Sequence, residues 1–178
     1  MNQELERSRV APAVAAHVVE LGPRLREVDR QEIRAAFGRP PEAILRSGFR
    51  NARRCWTVLA GDRAVAMFGV GRRRSPRIGT VWFLASDDFV RARDLVRRES
   101  RYWVDVLMVG HDVLTNFVAA DNRIAVRWIT WLGFELLALH RGVGTGGEDF
   151  WEFAAFRPEH RPDIATCRNW RNLLRITG

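Results

Sequence analysis

The chain has 178 residues, of which 47% are apolar, and this is enough for one well-packed domain. No segment approaches the roughly 18 to 20 uncharged apolar residues that a membrane span needs. The N-terminus also lacks the basic-then-apolar layout of a secretion signal. We therefore expect a soluble cytosolic protein with no membrane association.

The charge of the chain is more informative than its size. The net charge is +8, and all 29 basic residues are arginine because the sequence contains no lysine. Guanidinium groups bind phosphates and carboxylates bidentately, so such a surface suits polyanions or acidic protein partners. A solvated surface on a protein from a GC-rich genome explains the same composition, and both interpretations remain open.

The first half of the sequence alternates strand and helix patterns. `VAAHVVE`, residues 14–20, predicts a first strand, and the apolar spacing after Pro23 predicts a helix that ends at Gly38. Pro40 and Pro41 fit the first turn of a second helix. `CWTVLA` and `RAVAMFGVG` flank a two-residue Gly-Asp link that fits a hairpin turn. `GTVWFLAS` is almost wholly apolar, which predicts a central, buried strand.

The second half adds the longest predicted helix, from about Asp87 to about Met108, whose apolar residues share one face. `DVLTNFVA` predicts a strand, `DNRIAVRWITWLG` a helix, and `FELLALH` and `EDFWEFAAF` two closing strands. The order β-α-α-β-β-β-α-β-α-β-β indicates a single α+β domain with a mixed, mostly antiparallel sheet flanked by helices. We assign residues 1–12 to an N-terminal arm, 13–156 to this domain and 157–178 to a basic C-terminal extension.

The C-terminal extension carries five arginines and two prolines, and Trp170, Leu173 and Leu174 share one helical face. Docking on its own domain and docking on another subunit both fit this pattern. The arginine triplet that follows the strand `RAVAMFGVG` fits either a solvated turn or a phosphate contact. The candidate partner or nucleic-acid contacts are Arg72, Arg73, Arg74, Arg168, Trp170, Arg171, Leu174 and Arg175.

Several common catalytic arrangements are excluded. Gly142, Gly144 and Gly147 match G-x-G-x-x-G, but a strand follows them, so a hairpin loop is expected rather than a dinucleotide site. The four histidines are scattered and are interpreted as packing residues. Cys55 lies in an apolar strand, and its distance from Cys167 fits neither a disulfide framework nor a zinc site. We expect no catalytic residue and no metal.

The element order over Val14 to Phe156 resembles that of the GNAT (GCN5-related N-acetyltransferase) fold. Asn122, Ala125, Gly133 and Phe134 stand at the spacing that members of this family often show. The residues themselves explain why this segment forms a helix that ends before a strand. Asp121 can cap the helix, and Gly133 can end it in a left-handed conformation.

Two parts that the resemblance implies for catalysis are missing. In place of a glycine-rich pyrophosphate loop the chain has `ASDDFVRARD`, in which Ser86, Asp87 and Asp88 form a self-satisfied helix start. Ile129 stands where the family commonly has a general-acid tyrosine, and it cannot donate a proton. We therefore expect no cofactor at the degenerate positions Ser86, Asp87, Asp88, Asn122 and Ile129.

A closer resemblance joins `VAMFGV` and `DNRIAVRWITWLGF` with neighbouring segments over about 140 residues, and it is to internal virion protein A of short-tailed phages. It implies a non-catalytic virion or assembly protein that kept an acetyltransferase scaffold for binding other virion proteins of the portal, tail or internal core. It further implies a multi-copy assembly and a location in the virion and, during assembly, in the host cytoplasm. The basic charge makes phage DNA a further candidate partner.

Two other functions stay open at this point. One is an active N-acetyltransferase that binds acetyl-CoA through Asn122 and the strand `VWFLAS`. The other is a basic DNA-binding module, which the charge alone favours.

Overall fold

The computed structural model describes residues 8–72 and 77–160, with only the backbone of Arg72. Within these residues seven strands form one sheet: β1 (Arg9–Pro12), β2 (Ala52–Ala60), β3 (Arg63–Arg72), β4 (Ile78–Ala85), β5 (Val113–Ala119), β6 (Glu135–His140) and β7 (Phe150–Phe156). The helices are α1 (Ala15–Leu21), α2 (Glu27–Phe37), α3 (Pro41–Asn51), α4 (Arg93–Met108) and α5 (Arg123–Trp131). None of the described helices is both long and apolar enough to cross a membrane.

The strands lie in the order β1-β2-β3-β4-β5-β7-β6, and every neighbouring pair is antiparallel except β4 and β5. The expected α+β domain with a mixed, mostly antiparallel sheet is confirmed, and β4 is its central strand. The parallel contact is short: Ile78 pairs with Val113, Gly79 with Leu114 and Thr80 with Thr115. Beyond Thr80 the two strands no longer pair.

Helices cover both faces of the sheet. On one face α1 and α3 pack on β2 and β3 through a cluster that includes Val18, Leu21, Leu45 and Met67. On the other face α4 and α5 pack against a larger cluster from β2 to β7. The alternation of inward side chains along β4 places Val81 and Phe83 on the α4 face and Trp82 and Leu84 on the α3 face.

The predicted first strand over residues 14–20 is wrong, since this segment is helix α1. Val18 and Leu21, three residues apart, both face the core, so the helical period buries them together. His17 also contacts the hydroxyl of Thr57 through Nδ1 at 2.9 Å, which holds the helix on β2. The first strand is instead β1, which pairs with β2 inside the segment assigned to the N-terminal arm.

Glycines end or turn the chain where the sequence predicted. Gly38 has φ 59° after α2, Gly133 has φ 96° after α5, and Gly61 has φ 62° in the β2–β3 turn. The long helix differs from expectation, because Asp87–Ala92 forms a 3-10 segment and α4 begins at Arg93.

The C-terminal end of α4 is stabilised by arginines from other elements, since its own last turn has no basic residue. Arg54 of β2 donates from Nη1 to the carbonyls of Val106 and Val109, at 3.1 and 3.0 Å. Arg157 donates from Nη2 to the carbonyl of Met108 at 3.3 Å. These cations add charge-assisted hydrogen bonds to carbonyls at the negative end of the helix dipole.

We expect Arg54→Ala to lower the free energy of unfolding by about 1 to 2 kcal/mol, because helix carbonyls lose charge-assisted hydrogen bonds. Urea unfolding followed by circular dichroism measures this loss. Arg53→Ala is the matched control, since Arg53 is an exposed neighbour without a hydrogen bond or ion pair to any other described residue. Equal loss in the two variants would contradict the role of Arg54.

Candidate functional site

The separation of β4 from β5 leaves a cleft of about 1250 Å³ that passes between the two strands and opens toward both helical layers. Its walls are largely apolar and aromatic, and Trp82, Phe83 and Phe117 all contribute to them. Asn116 bridges the gap where the ladder ends, donating from Nδ2 to the carbonyl of Val81 at 2.6 Å. Sequence reasoning predicted the strands but not this opening.

An aromatic row crosses the cleft on the side of α4 and α5. The rings of Phe83 and Phe89 lie 5.2 Å apart, and those of Phe83 and Trp128 lie 4.9 Å apart, both edge to face. Ile129, next to Trp128, packs against the same core and brings no ionisable group. The row joins β4 to α5 by apolar contact across the line along which the strands part.

Three backbone N–H groups at the turn between β4 and the 3-10 segment donate to acceptors within the protein. The N–H of Ala85 donates to the Asp29 carboxylate at 2.9 Å, and that of Ser86 donates to the carbonyl of Val65 at 2.9 Å. The N–H of Phe89 donates to the carbonyl of Ser86 at 3.1 Å. Anion-binding turns need such groups free, and these three are engaged.

Ser86 and Asp87 differ in their surroundings at this turn. Ser86 occupies the N-cap position, but its hydroxyl is buried and donates to the carbonyl of Val65 at 3.2 Å instead of capping the helix. The expectation that its side chain completes the helix start is therefore wrong. Asp87 is exposed.

Asp88 is surrounded by three arginines from three parts of the chain. Its carboxylate lies 2.9 Å from Arg24, 3.5 Å from Arg63 and 3.8 Å from Arg91. The hydrogen bond from Arg24 is the main cause that holds the pKa of Asp88 below its usual value, and the charges of the other arginines act in the same direction. The cations nearest the turn are thus already paired with a carboxylate.

Asn122 uses both ends of its side-chain amide internally. Oδ1 accepts from the N–H of Ala125 at 3.2 Å, so Asn122 caps α5, and the predicted capping by Asp121 is wrong. Nδ2 donates to the Glu32 carboxylate on α2 at 2.9 Å. One side chain therefore starts α5 and ties it to α2 across the mouth of the cleft.

Glu32 is the cleft residue that sequence reasoning missed. Burial raises its pKa, the hydrogen bond from Asn122 opposes this, and the charge of Asp29 adds to it. No arginine forms an ion pair with Glu32 in the described part of the chain. Glu32 lies in α2 just before the buried Ile33. The local sequence does not indicate that its carboxylate contacts Asn122, which is 90 positions away.

The remaining candidate residues lie elsewhere. Arg72 ends β3, where it pairs with Gly79. The other predicted partner contacts lie outside the described residues: Arg73, Arg74, Arg168, Trp170, Arg171, Leu174 and Arg175. The glycine-rich segment forms the β6–β7 hairpin loop, as expected, and Thr145 within it donates from its N–H to the carbonyl of Ala35 at 2.8 Å.

The described residues contain neither a metal-ligating cluster nor a reactive thiol. No three side chains of the metal-ligating types gather there into a cluster that could hold a metal ion. Burial raises the pKa of the Cys55 thiol to about 12, so it is protonated at neutral pH and a poor nucleophile.

Solved structures of acetyltransferases share this architecture. A GCN5-related N-acetyltransferase from Kribbella flavida superimposes with a TM-score of 0.65 at 16% identity, covering 84% of this chain and 98% of that one. For the ribosomal-protein-S18-alanine N-acetyltransferase from Escherichia coli the TM-score is 0.59 at 17% identity, with 88% and 99% covered. Ard1 from Thermoplasma volcanium gives 0.63 at 10%, with 84% and 97% covered.

These likenesses show that the chain has the GNAT fold. No protein-family model matches the sequence, and no curated protein matches it.

We expect Glu32→Gln to stabilise the protein at neutral and alkaline pH. The raised pKa means that the folded state holds the Glu32 proton more tightly than the unfolded state, so stability falls as pH rises from about 4.5 through the folded-state pKa. Glutamine carries no charge and can still accept from Asn122, so the variant escapes this loss.

Thermal unfolding from about pH 4 to about pH 9 tests this expectation, with a melting temperature that rises by a few degrees only at the upper end. Glu27→Gln, on the exposed side of the same helix, is the control, because Glu27 contacts only Arg34 and Gln31 there. A variant that is less stable than the parent at every pH would contradict the account of Glu32.

Proposed function

We propose that this protein uses the GNAT fold as a non-catalytic binding scaffold and does not transfer acetyl groups. The observation that carries the proposal is that several groups around the positions expected to hold acetyl-CoA are engaged in contacts within the protein. The N–H groups of Ala85 and Ser86 are bonded within the protein, and so is the amide of Asn122. Asp88 holds the nearby arginines.

Electrostatics oppose a diphosphate at this turn. A phosphate about 4 Å from Asp88 meets a repulsion of about 1 to 4 kcal/mol per charge pair at near-surface dielectric. Recruiting Arg24 for the phosphate would break its ion pair with Asp88. The edge-to-face pair of Phe83 and Trp128 lines the α5 side of the cleft and offers no hydrogen-bond donor between the two rings.

For the partner we propose other virion proteins of a short-tailed phage, at the portal, tail or internal core. The support is the resemblance of `VAMFGV`, which lies in β3, and of `DNRIAVRWITWLGF`, which contains α5. An arginine-rich surface and the basic extension from residue 157 suit contacts within a multi-copy assembly. The protein would then reside in the virion and, during assembly, in the host cytoplasm.

Acetyl transfer is the second candidate, and Glu32 is the observation that favours it. A cleft carboxylate with a raised pKa can accept a proton from an amine at neutral pH better than an ordinary carboxylate can. If this candidate were correct, acetylation of host lysate proteins would require Glu32 and would survive Glu27→Gln. We expect no acetylation above background with the unmodified protein or with the Glu27→Gln variant.

Isothermal titration of the full chain with acetyl-CoA should give no heat of binding, since the anchoring groups are occupied. A saturable dissociation constant in the low micromolar range, about −8 kcal/mol, would overturn the proposal.

A matched pair of variants tests the physical reason. Asp88→Asn removes the negative charge that Arg24, Arg63 and Arg91 contact, while Arg24 keeps its ion pair with Glu20. It should tighten CoA binding by about tenfold or more relative to Asp62→Asn. Asp62 also pairs with an arginine, but its side chain is 99% exposed, so both variants change the net charge equally. Equal affinities in the two variants would show that the pairing of Asp88 does not exclude the cofactor.

Assembled particles should retain the protein through density-gradient purification, because the proposed contacts are with particle proteins. The full chain should be compared with a chain that ends at His160, which keeps all strands and helices described above. We expect the full chain to sediment with particles and the shortened chain to be reduced there. Recovery of the full chain only in the free soluble fraction would contradict a virion role.

A further inference from the structure

The two ends of the sheet differ in how far their arginines are matched by acidic residues, and at the end where β4 finishes acids pair with arginines such as Arg9, Arg24, Arg63 and Arg141. At the end where β4 finishes, acidic residues line the turns and the cleft mouth: Glu20, Asp29, Glu32, Asp62, Asp87, Asp88, Asp121, Glu148 and Asp149. At the opposite end β2 begins, β3 finishes and β4 begins, because Ala52 pairs with Gly71 and Arg72 with Gly79. Among the described residues, arginines outnumber acidic residues at this second end.

Several elements bring arginine to that second end. We define the basic end as the six described arginines on the last turns of α3, the start of β2, the start of β4 and the residue after β7: Arg46, Arg50, Arg53, Arg54, Arg77 and Arg157. Its acids are Asp105, Asp112 and Glu159, of which Asp112 contacts Arg77 and Glu159 contacts Arg157 at 3.7 Å. The basic end is therefore cationic after its own ion pairs are formed.

Arg46, Arg50 and Arg53 are the members that remain available. All three are exposed, and none forms a hydrogen bond or ion pair with another residue in 8–72 or 77–160. Arg46 and Arg50 are four residues apart in α3, so their Cα atoms lie about 6 Å apart along one face. Arg54 and Arg157, in contrast, are held by the carbonyls at the end of α4.

His111 lies close to three arginines of the basic end. It is 3% exposed, and burial lowers its pKa, with the charges of Arg53, Arg54 and Arg157 acting in the same direction. Three arginines therefore lie near enough to one imidazole to disfavour its protonation.

We propose that the basic end binds the phosphate backbone of duplex nucleic acid. A duplex offers about one negative charge per 1.7 Å of axis, and guanidinium groups pair bidentately with phosphate. An anionic lipid surface fits less well, because interfacial binding also needs exposed apolar side chains. Among the exposed large apolar residues of the described part, Val109 is the one that lies beside the end of α4.

The test is fluorescence anisotropy of a labelled duplex of about 30 base pairs over a salt series, with the full chain. The variant is Arg50→Ala with Arg53→Ala, and the control is Arg97→Ala with Arg98→Ala in the middle of α4. Arg97 and Arg98 are also exposed and unpaired within the described residues, so both double variants have the same net charge.

The basic-end variant should weaken binding about tenfold at 0.1 M salt and reduce the salt slope by about two released counterions. The control should change binding less than threefold, about the remaining effect of overall charge. Equal weakening in both variants would mean that charge acts diffusely, which overturns the proposal. Binding to vesicles with anionic lipid but not to duplex would overturn it as well.

Discussion

The three parallel residue pairs between β4 and β5 are the contact about which the rest of the structure is arranged. They join the antiparallel β1–β4 unit to the β5–β7–β6 unit, and the cleft starts where they stop. Close approach at Gly79 makes the contact possible, because a Cβ there would lie 2.5 Å from Val70 and 2.9 Å from Leu114. Since the strands meet only at this end, the other end must open, and the helices α2, α4 and α5 enclose the opening.

That opening is stabilised by internal contacts of the kinds that a bound anion could otherwise use. Asp29 accepts from the N–H of Ala85, and Asp88 contacts the distant Arg24 and Arg63 as well as the neighbouring Arg91. The N–H groups of Ala85 and Ser86 and the amide of Asn122 have partners within the protein and are therefore not free for a ligand.

Much of the architecture was predictable because it depends on local geometry. Gly38, Gly61 and Gly133 have positive φ at the turns and helix ends that the sequence predicted. The nearly continuous apolar run of β4 predicted a central strand, and β4 is central. The errors have tertiary causes. Residues 14–20 alternate like a strand, but the burial of Val18 and Leu21 favours a helix, and Asn122 caps α5 where Asp121 was expected because its amide also reaches Glu32. Propensity gave way to packing and hydrogen bonding in both cases.

The sequence by itself determined that the turn before α4 has no glycine and two carboxylates, and that Ile129 offers no proton. These are properties of the amino-acid types, so they can be read from the sequence without a structure. Only the tertiary structure decided that Asp88 is paired with Arg24, that the half-buried Glu32 accepts a hydrogen bond from Asn122, and that arginines gather at the end of the sheet where β4 begins. These outcomes join residues 64 and 90 positions apart, and such long-range contacts are set by how the helices pack on the sheet.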